Sequence, residues 1–256
     1  MPSLDSIRRH VPDRVKTAVR HGVPARVRDL VRPAHPAVAR PWLQGSFAQA
    51  GEDLLIRFLF GMLEVERPTY LDIGAFHPWR YSNTALLYLN GSRGINVEAD
   101  PDSAALIRRD RPDDQTLAVG CGPEPGRLTF FRLSAPTLNT FSREAAEAAV
   151  EESGGRYQVI STTAVELRTV AQILDGRPCP DLVSLDVEGM DLAILRTLPT
   201  WGGLPAVICV ETATYSETGG SRKLTEPAEL LSEHGYIQFA DTWMNTIFVR
   251  DNLYQR

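Results

Sequence analysis

Short apolar runs that end in polar or acidic residues recur along residues 46–250 of the chain. Such runs predict buried strands, whereas longer segments with apolar residues three or four positions apart predict helices. The runs place the first five core strands at 69–74, 94–100, 115–119, 181–186 and 206–211. Because most of these runs precede a predicted helix, the pattern favours a mostly parallel sheet with helices on both faces.

The helical pattern is found in segments 54–63, 82–90, 143–152, 167–174, 190–198 and 227–234, and in a further helix that starts at Pro101. Ser46 is placed to cap the first helix. The section between residues 120 and 180 is less regular, with strands predicted at 128–133 and 158–163 and a loop at 137–142.

The last two predicted strands, 236–240 and 246–250, are separated by only five residues. Since a parallel pair needs a crossover of about a dozen residues or more, these strands must be antiparallel neighbours. We therefore predict a doubly wound α/β fold with a seven-stranded, mostly parallel sheet and an antiparallel last strand. This ending is typical of class I methyltransferases and not of nucleotide-binding dehydrogenases.

Residues 1–45 differ in character from the rest of the chain. They contain nine Lys or Arg residues against three Asp, a net charge of +6, with valines at four-residue steps. Pro12, Gly22 and Pro24 would break any long helix there. We expect a basic helical extension and linker over 1–45, and a catalytic domain over 46–256. The extension would either pack on its own domain or make a weak contact with an anionic membrane surface or a partner.

The remaining residues carry 18 basic and 29 acidic side chains, and this acidic balance argues against a nucleic-acid partner. No apolar run is long enough for a transmembrane helix, and the N-terminus lacks an apolar signal core. The cysteines Cys121, Cys179 and Cys209 form no C-x-x-C pair. We expect a cytoplasmic protein, peripheral at the inner membrane surface if residues 1–45 bind lipid, and a homodimer is a further expectation.

Acidic residues stand at the carboxyl ends of four predicted strands: Asp72, Glu98, Asp186 and Glu211. Ligands of doubly wound sheets bind at this edge. Carboxylates crowded together repel one another, so they indicate a cation, a hydroxyl-rich ligand or both.

The first strand is followed by Gly74, Ala75, Phe76 and His77, so the G-x-G-x-x-G cradle for a pyrophosphate is absent. Glu98 lies 24 residues after Gly74, close to the usual offset for a carboxylate that binds ribose hydroxyls. A ribose-containing cofactor without phosphate, such as S-adenosylmethionine, suits this pattern.

Six segments give the chain its resemblance to the FkbM family of methyltransferases. They are Ser46–Asp53, Tyr70–Pro78, Ser82–Thr84, Gly94–Glu98, Thr137–Ser142 and Ser184–Asp191, in this order over residues 46–250. The resemblance implies S-adenosylmethionine-dependent methylation of a hydroxyl on a sugar, glycolipid or secondary metabolite. The residues that it places at the cofactor are Gln49, Asp72, Gly74, Ala75, Phe76, Glu98, Ala99 and Asp186. Family members often have Asn where this chain has Phe76.

Methyl transfer to a hydroxyl needs a proton acceptor or a metal. His77 is a candidate base because its ordinary pKa is close to neutrality, although it could instead cap the cofactor loop or stack on the cofactor. Asp186 and Glu211, at the ends of adjacent strands, could hold Mg²⁺. Glu188 is another candidate base or a cofactor contact.

Two other functions fit the same fold: a binding protein that retains the cofactor pocket without turnover, and a nucleic-acid methyltransferase. The acidic body and the lack of an Asn-Pro-Pro-Tyr-like motif after the fourth strand disfavour the second.

Overall fold

Ten strands form the framework of the protein in a computed structural model that describes residues 45–187, 189–213 and 222–254. In chain order they are β1 (Tyr70–Ile73), β2 (Gly94–Val97), β3 (Gln115–Leu117), β4 (Gly120–Cys121), β5 (Gly126–Leu133), β6 (Val159–Arg168), β7 (Leu182–Leu185), β8 (Val207–Glu211), β9 (Tyr236–Asp241) and β10 (Asn245–Arg250). Residues 1–44 of the predicted basic extension and Glu188 lie outside the described residues. The predicted domain boundary and membrane contact therefore stay predictions.

Seven of these strands form one sheet in the order β3-β2-β1-β7-β8-β10-β9. The first five are parallel, and β10 is antiparallel to both of its neighbours, β8 and β9. The predicted fold class, a mostly parallel seven-stranded sheet with an antiparallel last strand, is confirmed. The short connection between β9 and β10 correctly gave an antiparallel pair, but it could not show that β10 lies inside the sheet and β9 at its edge.

Eight helices accompany the sheets in the described residues: α1 (Glu52–Met62), α2 (Ala85–Leu89), α3 (Pro101–Asp110), α4 (Arg143–Glu152), α5 (Val170–Leu174), α6 (Asp191–Leu195), α7 (Glu226–Glu233) and α8 (Asp251–Tyr254). None of these helices is both long and apolar enough to cross a membrane. The residue that precedes α1 differs from the predicted cap. Gly51, not Ser46, precedes α1, and Ser46 Oγ donates to Asp53 Oδ1 over 2.6 Å.

Alternate residues of the central strands enter two separate cores, one on each face of the sheet. Leu182 and Val207 pack with Ile56 of α1, whereas Val183 and Ile208 pack with Ile194 of α6. Because successive strand side chains point to opposite faces, strands covered on both sides must be apolar throughout. This explains why the central strands appear in the sequence as continuous apolar runs.

A second sheet of three strands, β4-β6-β5, was not predicted as a unit. β6 continues to Arg168 and pairs along its length with β5, so the helix predicted from residue 167 begins only at Val170. Thr169 caps that helix in a capping box. The Thr169 side chain accepts a hydrogen bond from the Gln172 backbone N–H, and the Gln172 side chain accepts one from the Thr169 backbone N–H. The sheet supports the 134–142 loop beside the carboxyl edge of the main sheet, since Phe131 and Thr140 exchange backbone hydrogen bonds.

Beneath that edge lies a buried polar network centred on Arg111, which is 1% exposed. Its guanidinium contacts Asp114 Oδ2 at 2.8 Å and donates to Tyr70 Oη at 2.7 Å and Thr84 Oγ1 at 3.0 Å. Thr84 Oγ1 in turn donates to Asp72 Oδ2 at 2.5 Å. A buried charge is tolerated only when it is paired and hydrogen-bonded, and this network meets both conditions.

The ends of β1 and β7 approach each other closely at Gly74. Gly74 has φ +81°, and a Cβ added there would overlap the backbone carbonyl oxygen of Asp186. The Gly74 N–H donates to the Val97 carbonyl of β2 over 3.0 Å. Because neither the backbone of Asp186 nor that of Val97 can yield as a flexible side chain does, only glycine fits this position.

We expect Gly74→Ala to destabilise the protein by about 1–3 kcal/mol more than Gly235→Ala, because an added Cβ at Gly74 must push backbone apart. Gly235 is the matched control, with φ +79° and open space around its Cα. Its substitution should cost only the left-handed conformation, about 1–2 kcal/mol. Urea unfolding of the two variants and the wild type measures both values. Equal losses would show that the Gly74–Asp186 contact does not constrain the fold.

Candidate functional site

A cavity of about 280 Å³ lies at the carboxyl ends of β1, β2, β7 and β8. The residues predicted for the site that line this cavity are Gln49, Gly74, Phe76, Glu98, Ala99, Asp186 and Glu211. The sheet order places β1 between β2 and β7, so Glu98 and Asp186 lie on either side of Gly74. The acidic strand ends thus share one edge of the sheet, as the sequence predicted.

Glu98 is almost fully buried, and its carboxylate accepts two backbone hydrogen bonds. The N–H groups of Phe76 and Asp100 each donate a hydrogen bond to it, both at 2.7 Å. Burial raises the pKa of Glu98 to about 7, although these two bonds lower it. Phe76, where relatives often have Asn, thus holds Glu98 through its backbone, in a left-handed conformation with φ 53°. A desolvated carboxylate held in this way is suited to accept further hydrogen bonds from a ligand.

Asp186 directly follows β7 and lines the cavity. Its pKa is raised to about 7, first by burial and then by the neighbouring carboxylates of Asp191 and Asp72. The Asp191 carboxylate accepts the N–H groups of Val187 and Gly189 at 3.1 and 3.2 Å, and so holds the turn after β7. Asp186 is therefore a carboxylate that can take up a proton near neutral pH.

Two residues predicted to bind the cofactor do not line the cavity. Asp72 belongs to the Arg111 network beneath it, where burial raises the pKa of its carboxyl group and Arg111 lowers it. Ala75 is buried, and its N–H donates to the Val97 carbonyl over 3.1 Å. Both support the loop after β1, and their contact with the cofactor stays a prediction.

His77, predicted as a candidate base, also lies outside the residues that line the cavity. Its Nδ1 accepts the backbone N–H groups of Trp79 and Arg80 at 3.0 and 3.1 Å. With Nδ1 used in this way, the geometry supports the alternative interpretation that His77 caps the loop. The other candidate base, Glu188, lies outside the described residues.

The predicted magnesium site has no support in the described part of the chain. Asp186 and Glu211 end the neighbouring strands β7 and β8 and line the same cavity. However, no group of three or more His, Cys, Asp or Glu residues within 45–187, 189–213 and 222–254 is arranged to hold a metal.

The segment 46–53 is folded over the cavity, where it contributes Gln49. The Asp53 carboxylate accepts hydrogen bonds from Ser46 Oγ and from the Phe47 N–H. The Phe47 carbonyl accepts a hydrogen bond from the Ser82 N–H at 3.1 Å. Glu52 joins the segment to the β9–β10 hairpin. The buried acids of this family segment therefore serve to hold Gln49 in place.

Sequence reasoning missed several lining residues. Asn245, at the start of β10, donates from Nδ2 to Glu52 over 3.1 Å, while its Oδ1 is buried without a hydrogen-bond partner. Only the register of β10 opposite Glu211 brings Asn245 here, and no sequence motif marks it. Residues 136–141 of the loop beside β5 also line the cavity. Their presence in a family segment was a signal, although no role could be assigned from it.

Comparison with known proteins identifies the family. Residues 72–237 match the family model described as the methyltransferase FkbM domain, which covers more than half of the chain. The chain belongs to this family. The FkbM match spans β1 to the start of β9, and so contains Glu98, Asp186 and Glu211. No curated protein matches the chain.

Solved structures similar to this FkbM protein include other methyltransferases. The Burkholderia thailandensis 1,6-didemethyltoxoflavin-N1-methyltransferase with bound S-adenosylhomocysteine is 13% identical, with a TM-score of 0.41, over 97% of this chain and 89% of its own. A TehB-like methyltransferase from Corynebacterium glutamicum is 11% identical, with a TM-score of 0.40, over 94% and 100%. Because both TM-scores are below 0.5, the assignment to the FkbM family rests on the domain match.

We expect the substitution Asp186→Asn to change how stability depends on pH. A carboxyl group whose pKa is raised by folding stabilises the protein at low pH, and this contribution is lost as pH rises from about 4 to about 7. Asn does not titrate, so the stability of Asp186→Asn relative to wild type should rise by about 2–3 kcal/mol between pH 5 and pH 8.

Urea unfolding at both pH values measures this difference. Asp175→Asn is the matched control, because Asp175 is exposed and has a left-handed conformation that Asn also adopts. A difference between Asp186→Asn and wild type that stays the same at pH 5 and pH 8 would show that Asp186 does not titrate in this range.

Proposed function

We propose that the protein is an S-adenosylmethionine-dependent O-methyltransferase that acts on a hydroxyl of a sugar, glycolipid or secondary metabolite. The observation that carries the proposal is the placement of Glu98 and Asp186 in one cavity, on either side of Gly74. One carboxylate is held by backbone N–H groups and suits a ribose, while the other has a pKa suited to proton uptake near neutrality.

The residues of the cavity fit S-adenosylmethionine in three ways. Glu98 would accept hydrogen bonds from the ribose hydroxyls. The carboxylates whose pKa values are raised by burial favour a cationic ligand, and S-adenosylmethionine carries a sulfonium and an ammonium group. The stretch after β1 lacks the glycine cradle for a pyrophosphate, and S-adenosylmethionine has no phosphate. When bound, the cofactor supplies an electrophilic methyl group.

Residues of the chain itself would deprotonate and orient the acceptor hydroxyl. Asp186 would take the hydroxyl proton onto its carboxylate, a role that the position of His77 does not support. Asn245 Oδ1, buried and without a partner, is available to accept a hydrogen bond from the same hydroxyl or from the cofactor ammonium. Glu52 holds the amide of Asn245, so segment 46–53 and the hairpin β9–β10 would position the acceptor together.

Incubation with methyl-labelled S-adenosylmethionine and fractionated metabolites tests the proposal. We expect label in a neutral ether that survives alkaline hydrolysis, which distinguishes O-methylation of a hydroxyl from formation of a methyl ester. Asp186→Asn should lower kcat by about two to four orders of magnitude, because a positioned base is lost. Its affinity for S-adenosylhomocysteine serves as the control for an intact cavity.

Four other outcomes would contradict parts of the proposal. Label on nitrogen or carbon would exclude O-methylation. Full activity of Asp186→Asn would exclude Asp186 as the base. Loss of activity on chelation, restored by Mg²⁺, would favour a metal held by Asp186 and Glu211. Cofactor binding without transfer to any fraction would indicate the binding protein that shares this fold.

A further inference from the structure

A second cavity of about 280 Å³ adjoins the candidate site on the other side of the 134–142 loop. Leu138, Thr140 and Glu211 line both cavities, so only this loop and the end of β8 separate them. The second cavity is bordered by helices α4, α6 and α7. Its position places any ligand within it next to Glu211, which lines the candidate site together with Asp186.

The lining of this second cavity is apolar, and its charged groups are acidic. Small or aliphatic side chains from the three helices, such as Ala149, Leu192 and Pro227, leave the space open. The ionisable groups are Glu152, Asp191 and Glu211, and none of the described lining residues is Lys, Arg or His. Among the described lining residues, a phosphate or carboxylate would find no cation to pair with, and it would lie beside acidic side chains.

We propose that this second cavity binds the apolar, uncharged body of the methyl acceptor, whose hydroxyl reaches the candidate site past Glu211. The inference rests on the proposed function and narrows it: the acceptor is a hydroxylated apolar compound, not a sugar phosphate or another anionic metabolite. Ligand cavities are mostly apolar with a few polar groups that fix orientation, and here those polar groups lie at the shared boundary.

A matched pair of probes tests this choice of ligand. 1-Naphthol and 1-naphthyl phosphate share one ring system and differ in the anionic group. With saturating S-adenosylhomocysteine, we expect ligand-observed NMR titrations to show 1-naphthol binding at least about tenfold more tightly than the phosphate, a difference of about 1.4 kcal/mol. Equal or tighter binding of 1-naphthyl phosphate would overturn the proposal.

The location is tested by filling the cavity from its exposed side. Ala148 of α4 lines the cavity and is exposed, so Ala148→Phe should fold while it takes up the space. We expect it to weaken 1-naphthol binding at least about tenfold. Glu151→Phe is the matched control, since Glu151 is exposed on the same helix and does not line the cavity. Unchanged 1-naphthol binding to a folded Ala148→Phe protein would contradict the location.

Calorimetry with S-adenosylhomocysteine separates this inference from the proposed function. If the cofactor product binds both wild type and Ala148→Phe but 1-naphthol binds neither, the acceptor cavity is wrong while the cofactor site stands. If S-adenosylhomocysteine does not bind the wild type, the proposed function fails, whatever the probes show.

Discussion

The contact between Gly74 and the backbone of Asp186 is the constraint on which the site depends. Here the ends of β1 and β7 come so close that no side chain fits, and the Gly74 N–H is fixed on β2. The chain after β1 must therefore turn away at this point, and the turn carries the Phe76 N–H onto Glu98. The cavity and the position of both carboxylates follow from this single approach of backbone to backbone.

The second requirement is electrostatic, because several buried carboxylates lie near one edge of the sheet. Arg111 lies beneath that edge and lowers the pKa of Asp72, and it pairs directly with Asp114. Asp191 is satisfied by two backbone N–H groups instead. Glu98 also accepts two backbone N–H groups, yet burial raises its pKa to about 7, as it does that of Asp186. These two carboxylates line the cavity, where a ligand would meet them.

Features of the fold and of the site could be predicted where local sequence determines them, and not where contacts between distant segments do. The strands and the acids at their ends were predictable, because buried parallel strands are continuous apolar runs and Glu98 and Asp186 follow them directly. The role of His77 was not, since chain proximity to Gly74 does not show which way an imidazole points. Asn245 and the second cavity were equally hidden, because both arise from pairing between segments far apart in the chain.

The helix predicted at 167–174 is a second case in which pairing between distant segments decided the structure. Its apolar spacing suits a helix, but residues 159–167 pair with β5, and the strand continues to Arg168, which pairs with β4. Tertiary pairing overrides local pattern in such segments. Since that pairing supports the 134–142 loop, it also determines where one wall of the cavity lies.

Binding of S-adenosylhomocysteine to the Glu98→Gln variant, measured by calorimetry, tests the central claim most directly. Replacing the carboxylate should weaken binding about 10- to 150-fold, since hydrogen bonds to a charged group are worth about 1.5–3 kcal/mol. Glu124→Gln, at an exposed position outside the cavity, should bind as the wild type does. Wild-type affinity in a folded Glu98→Gln protein would contradict a ribose site at Glu98, and with it the assignment of this cavity to the cofactor.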